Sequence, residues 1–300
     1  MGIFNFLVSK SIMFIPAPIV NIFAKSYIAG PTLYDAVRVT HELNNKGMMA
    51  TIDILGEFVN TKDEATFYKN ECVKILNTIK KEGLNANISL KPTQMGLLLD
   101  KEFAFGNIKE IVAHAKELGN FVRIDMEDTP RTDDTLGLFR KLREEYIGHV
   151  GTVLQSYLRR TPQDIENLSD GYLNFRLCKG IYNEPRKLAY KDPYIINQNY
   201  IYCLEKLFQK KAYVGIATHD EKLVFEALRL IEKYGLKKED FEFQMLLGVD
   251  EELREIIVSA GHRLRVYVPF GKEWLAYSRR RLKENPNIAR HALKQFFKIK

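Results

Sequence analysis

From about residue 31 onward, short apolar runs rich in β-branched residues alternate with longer segments of helical period. Residues 48–55, 87–91, 121–126, 151–155, 173–178, 213–218, 241–247 and 264–268 predict strands. Their nearly continuous apolar character suits strands covered on both faces. Between them, residues 62–81, 108–118, 133–146, 162–168, 197–210, 221–234, 251–260 and 274–283 predict amphipathic helices. In the 221–234 segment, Leu223, Val224, Ala227, Leu228 and Ile231 share one face, and Glu226, Arg229, Glu232 and Lys233 the other. Gly235 reads as the C-cap of that helix, Thr161 as the cap before Pro162, and Asp250 as the cap before Glu251.

Eight β-then-α units without a break in composition predict a single (β/α)8 TIM-type barrel, an α/β fold, over residues 41–300. A helical segment at residues 1–40 precedes it. An open doubly wound sheet is the alternative, because periodicity does not reveal closure. Such a sheet usually carries a glycine-rich phosphate turn after its first strand, and the chain has neither GxGxxG nor a Walker-type loop. Residues 3–23 are strongly apolar, but Lys10 interrupts them and Pro16 and Pro18 break the run. The uncharged stretch 11–24 falls short of the roughly 20 residues that span a bilayer. A short amphipathic helix, packed on the domain or lying on a membrane, is expected there.

A composition of 46% hydrophobic and 28% charged residues supplies ample material for one core. The net charge of +7 is spread along the chain, apart from a basic tail at 288–300, and suits anionic ligands or membrane surfaces. No concentrated basic stripe or module signature supports nucleic-acid binding. Cys72, Cys178 and Cys203 form no CxxC pair, which predicts buried thiols in a reducing cytoplasm. The six histidines show no metal-ligand spacing, so no metal site is expected.

In such a barrel, chemistry belongs to the C-terminal ends of the strands. The strand ends deliver Asp53 and Glu57; Ser89 and Lys91; Arg123, Asp125, Glu127 and Asp128; Gln155; Arg176, Lys179 and Gly180; Thr218 and His219; and Tyr267. Past the last strand, neighbouring Arg280 and Arg281 stand about 100° apart on a helix. Taken singly, Lys91 reads as a solvated charge, Asp125 as a cap or ion-pair partner, and His219 as a cap neighbour. A charge inside an otherwise apolar strand must be paired or exposed, and several sharing one rim favour a functional reading. Paired acids with an excess of guanidiniums suit a substrate carboxylate and an anionic cofactor. The residues alone thus predict a barrel enzyme acting on a small carboxylate. A Schiff-base enzyme using Lys91 or Lys179 is the alternative.

The motifs Ile52-Asp-Ile-Leu-Gly-Glu57, Ser89-Leu-Lys-Pro-Thr-Gln-Met-Gly-Leu97, Ile124-Asp-Met-Glu127, Leu154-Gln-Ser-Tyr-Leu-Arg159, Arg176-Leu-Cys-Lys-Gly-Ile-Tyr182, Ala217-Thr-His219, Phe243-Gln-Met-Leu-Leu-Gly248 and Tyr267 through Glu284 resemble, in order, those of the proline dehydrogenase family, especially its bacterial single-activity branch. The resemblance covers residues 49–284. It implies a (β/α)8 barrel that uses FAD to oxidise L-proline to Δ1-pyrroline-5-carboxylate and passes the electrons to a membrane quinone. It also implies roles. Lys91, Arg280 and Arg281 would hold the carboxylate, Tyr267 would pack on the ring, and Asp125 would order the basic cluster. Arg176 would stand near the flavin N5, where hydride arrives from proline C5. Met126, Gln155, Lys179, Gly180, Ile181, Thr218, His219 and Leu246 would line the flavin, and Glu57 would pair with Arg280 as a gate. Ile181 departs from the small residue usual there, Asn183 from an aromatic or basic one, and Phe270 from a frequent Tyr. Quinone transfer suits peripheral contact with the inner membrane, and the tail's Ile288, Ala292, Phe296 and Ile299, set among Arg290, Lys294, Lys298 and Lys300, is compatible with it.

Overall fold

The structure, a computed structural model, describes residues 27–278 apart from positions 57 and 276. Eight parallel strands close into a barrel in sequence order: β1 (Met49–Ile54), β2 (Ala86–Leu90), β3 (Val122–Ile124), β4 (Val150–Gln155), β5 (Asn174–Cys178), β6 (Tyr213–Ala217), β7 (Phe241–Leu246) and β8 (Leu264–Phe270). Helix α1 (Leu33–Asn45) precedes β1. The connecting helices are α2 (Lys62–Lys81), α3 (Lys101–Glu117), α4 (Thr132–Glu145), α5 (Thr161–Asn167), α6 (Pro193–Gln209), α7 (Glu221–Tyr234) and α8 (Glu251–Ser259). Closure comes from β8 pairing with β1 over Met49↔Arg265 to Ile54↔Phe270, which rules out the open sheet.

The strands are not continuously apolar. Several alternate, as Ala50-Thr51-Ile52-Asp53, Asn87-Ile88-Ser89-Leu90, Asn174-Phe175-Arg176-Leu177 and Phe241-Glu242-Phe243-Gln244 show. Ile52, Ile88, Leu90, Phe175, Leu177, Phe243 and Val266 join the hydrophobic core with Cys72, Ile75, Leu76 and Ile108 of the helices. Their polar neighbours point into the barrel and bond across it. Most (β/α)8 barrels fill that space with branched aliphatics; this one fills it with ion pairs. Arg265 donates to the Glu242 carboxylate at 2.6 and 3.1 Å and to the Ala50 carbonyl at 2.8 Å. Arg123 lies deep in the barrel rather than on the rim, donating to the carbonyls of Thr152 and Asn174 and to the Asn174 side chain. Gly151 makes room for it: a Cβ there would lie 2.4 Å from its guanidinium.

Burial alone would raise the Glu242 carboxyl, but Arg265, with Tyr213 and Gln244 also donating, brings it down to about 2. A carboxylate depressed on folding stabilises the fold above its unfolded value and loses that contribution as pH falls through the folded one. Acid should therefore remove on the order of 3 kcal/mol from the barrel between about pH 4.5 and pH 2. Urea unfolding against pH is the check, and Glu242→Gln should abolish this part of the pH dependence.

Helix boundaries differ where a cap outranks periodicity. Helix α3 begins at Lys101, earlier than the apolar period suggests, because the Asp100 carboxylate accepts from the amides of Glu102 and Phe103. Asp192 likewise starts α6 at Pro193. Asp250 caps α8 and Gly235 closes α7 in the left-handed conformation, both as expected. Thr161 does not cap: its hydroxyl donates to the Gln155 carbonyl at 2.6 Å, holding the end of β4. Cys72 and Cys203 are buried, their thiols pushed up to about 12 by burial, while Cys178 is half-buried. Among the described residues no helix is long and apolar enough to cross a membrane. Residues 1–26 and 279–300, where the amphipathic helix and the membrane-compatible tail are expected, lie outside the described residues.

Candidate active site

Asp125, the residue just past β3, is pinned by its amide, which donates to the Leu90 carbonyl at 2.8 Å. Its carboxylate joins three strands. One oxygen accepts from the Ser89 hydroxyl at 2.5 Å and from Arg176 Nη1 at 2.7 Å; the other accepts from the Tyr267 hydroxyl at 2.9 Å. Burial would raise this carboxyl, but Arg176 and Lys91 hold it below the usual carboxylate range. Tyr267 is pushed well above the ordinary phenol value by burial and by Asp125, so it stays a donor. The Arg176 guanidinium lies over the Tyr267 ring, 5.3 Å from its centroid, and its Nε donates to Gln244 Oε1 at 2.6 Å.

Beside this cluster, Lys91 Nζ reaches both oxygens of Asp53, at 2.9 and 3.0 Å. Asp53 is fully buried; burial pushes its carboxyl up, and the ammonium opposes that. Both Asp53 oxygens thus engage the Lys91 amine, whereas a Schiff base requires it free to attack a carbonyl. Lys179 is engaged as well, 2.8 Å from Asp220 Oδ2, which also accepts from Asn197. The Schiff-base alternative finds no free lysine in either position.

The residues expected to line a cofactor follow the arc from β3 to β7. Met126 and Gln155 are buried. Gln155 Nε2 donates to the Glu127 carbonyl at 3.3 Å, whereas its buried Oε1 has no partner among the described residues. The Glu127 carboxylate accepts from the Thr93 amide and hydroxyl, tying the loop after β2 to β3. Gly180 has φ 104°, and a Cβ there would lie 2.2 Å from the Tyr157 ring, so only glycine lets the backbone pass. Ile181 follows it, half-buried. Thr218 Oγ1 accepts from the Asp220 amide, and His219 Nε2 accepts from the Leu246 amide at 2.8 Å. A ring nitrogen that accepts is unprotonated, so this geometry sets a neutral His219 with its hydrogen on Nδ1.

The structure thus gathers Lys91, Asp125, Arg176 and Tyr267 at one mouth and sets Met126, Gln155, Lys179–Ile181, Thr218, His219 and Leu246 along the adjoining arc. Asp128 stands apart, ion-paired with Arg131. Glu57, Arg280 and Arg281 lie outside the described residues. Gln244, Glu242 and Arg265 were missed as functional candidates. The available signal was the polar side chains at alternate positions, Glu242 and Gln244 in β7 and Arg265 and Tyr267 in β8.

The sequence model of the family described as proline dehydrogenase matches residues 36–292. The chain is 38% identical to proline dehydrogenase 2 of Bacillus subtilis over 267 residues, covering 89% of this chain and 88% of that one. It is 36% identical to the proline dehydrogenase of Deinococcus radiodurans over 270 residues, covering 89% and 87%. Among solved structures, proline utilization A of Bdellovibrio bacteriovorus is similar with a TM-score of 0.82 at 26% identity, over 88% of this chain but only 32% of that longer one. With a closed eight-stranded barrel, a charged cluster at its mouth and likeness to these bacterial enzymes over 89% of its length, the chain belongs to the proline dehydrogenase family and oxidises proline in proline catabolism.

Proposed function

We propose that the barrel mouth binds L-proline against FAD and releases Δ1-pyrroline-5-carboxylate, with a quinone as the electron acceptor. The observation that carries the site assignment is the Asp125 carboxylate holding Arg176 and Tyr267 in one cluster beside Lys91. Lys91, Arg280 and Arg281 bind the substrate carboxylate. Two guanidiniums and an ammonium fix its orientation, and in favourable cases orientation is worth several kcal/mol. Asp53 holds the Lys91 amine in place for that task. Tyr267, its hydroxyl engaged by Asp125, offers its ring as the wall for the pyrrolidine. Glu57 closes over the site by pairing with Arg280.

The residues along the arc fit a flavin. Gln155 Oε1 is a buried acceptor without a partner among the described residues, which suits the N–H of an isoalloxazine ring. Met126 and Leu246 give apolar contact. Bound flavin supplies the hydride acceptor; the barrel supplies placement and charge. Arg176 would stand beside the bound flavin and supply positive charge there. Peripheral contact of the N-terminal segment or the tail with a membrane would bring the enzyme to its quinone, in the cytoplasm at the inner membrane.

The purified protein should be yellow, and anaerobic L-proline should bleach the flavin band. Arg281→Met should raise the proline KM by about 100-fold, the worth of a charge-assisted bond pair, while flavin content stays near normal. A colourless protein that takes up no added FAD would overturn the cofactor, and flavin loss at unchanged KM would move Arg281 to the wrong ligand.

A further inference from the structure

Arg176 is held from two sides. Asp125 takes one terminal nitrogen, and Gln244 takes Nε at 2.6 Å. The Gln244 amide has no choice of direction, because its Nε2 donates to Glu242 Oε1 at 2.6 Å. An amide between a carboxylate and a guanidinium must turn its NH2 to the first and its oxygen to the second. Glu242 is immobilised in turn by Arg265, which donates to both its oxygens, and by the Tyr213 hydroxyl at 2.7 Å. Glu242, Gln244 and Arg265 are all buried. The chain Arg265–Glu242–Gln244–Arg176 therefore runs from the packed interior of the barrel to its mouth, each link a hydrogen bond of set direction.

One residue opposite this chain makes room for it. Gly215 pairs with Arg176 on one side and with Glu242 on the other. A Cβ at Gly215 would lie 2.3 Å from Gln244 Nε2 and 2.7 Å from its Cδ. The collision is with the far end of a side chain, so an added methyl displaces the amide without opening the sheet.

We infer that Gln244, set by Glu242 and accommodated by Gly215, is a positioning residue that aims the Arg176 guanidinium at the reacting centre. This rests on the placement of Arg176 beside the flavin proposed above. The carboxylate contacts to proline lie elsewhere, at Lys91 and the arginine pair. Loss of the amide should therefore slow turnover without weakening substrate capture.

The test is a double-mutant cycle in the flavin-loaded enzyme, with Gln244→Met, Arg176→Met and the pair, alongside Gly215→Ala. Gln244→Met and Gly215→Ala should each lower kcat about tenfold with the proline KM within twofold, the worth of one hydrogen bond to a charged group. Both should shift the visible spectrum of the bound flavin in the direction that Arg176→Met does. The pair should be no slower than Arg176→Met alone, because a residue acting only through Arg176 has nothing left to position. A purely structural Gln244 would instead leave kcat and spectrum unchanged, or add its effect to that of Arg176→Met; either result overturns the inference. If Gln244→Met fails to fold, Gly215→Ala, which keeps every polar group, decides on the same readouts. If Arg176→Met itself changes neither kcat nor spectrum, the placement of Arg176 falls and the positioning chain falls with it.

Discussion

Asp125→Ala is expected to lower kcat/KM for proline by about 1,000-fold, the equivalent of ~4 kcal/mol for stripping one partner from a buried, paired charge. The size follows from what this carboxylate does. It is the common acceptor for Ser89, Arg176 and Tyr267, which come from three different strands. Removing it leaves a guanidinium with only Gln244, and a phenol and a hydroxyl released from their acceptor, at the point where the substrate must be held in one pose. Asp125→Asn tests geometry against charge. An amide oxygen still accepts, but its NH2 would face either Tyr267 or Arg176, both donors here, so a loss of at least tenfold remains. Steady-state kinetics with flavin content measured on the same samples decides it. If Asp125→Ala keeps kcat/KM within tenfold of the parent at full flavin occupancy, the cluster is not the substrate site.

Lys91→Met should be nearly as damaging, and in two separable ways. The KM for proline should rise by about 100-fold through loss of a charged contact to the carboxylate. Stability should fall by about 3–5 kcal/mol, because Asp53, fully buried, loses the ammonium that faces both its oxygens. Without Lys91, the burial that already pushes the Asp53 carboxyl up loses its main opposition, leaving only the Tyr267 hydroxyl to lower it. A carboxyl raised above its unfolded value favours the fold when protonated and disfavours it as pH rises through the folded value. The melting deficit of Lys91→Met should accordingly shrink on acidification from neutral pH toward the unfolded carboxyl value, because the same group, raised less in the parent, gains less there. Adding Asp53→Asn should restore much of the melting temperature and none of the KM. A double variant that regained both would show that Lys91 serves only the fold.

These effects arise from an interior unlike that of most barrels. A polar lining costs stability relative to packed aliphatics unless each group is satisfied. Here Arg265–Glu242, Lys91–Asp53 and Arg176–Asp125 pair off, with Tyr213, Gln244, Ser89 and Tyr267 completing the bonds. The hydrophobic core lies outside the strands, between them and the helices. A rigid, ionic interior is what a site needs if side chains are to keep one orientation while substrate comes and goes.

Much of this was present in the chain as pattern. The eight strands and their helices follow from periodicity. The strand-end motifs point to the same mouth that the structure assembles, with Lys91, Asp125, Arg176 and Tyr267 gathered as expected. Two things were not legible. The strands read as continuous apolar runs because Thr51, Asn87 and Gln244 look like tolerated interruptions; only closure of the barrel turns every second position into a lining. Partner choice was also hidden. Asp53 with Lys91, and Gln244 between Glu242 and Arg176, are pairings across strands far apart in sequence, and several residues of either sign were available to each.

By itself, then, the sequence determined the number and order of β/α units, the helix caps at Asp250 and Gly235, and which residue types reach the rim, because these depend on local period and local hydrogen bonds. The tertiary structure alone decided that Arg123 belongs to the barrel floor, that Thr161 holds β4 rather than a helix, and that Asp125 is the junction of three strands. Those outcomes depend on register around a closed barrel, where the pairing of β8 with β1 sets which side chains stand opposite one another.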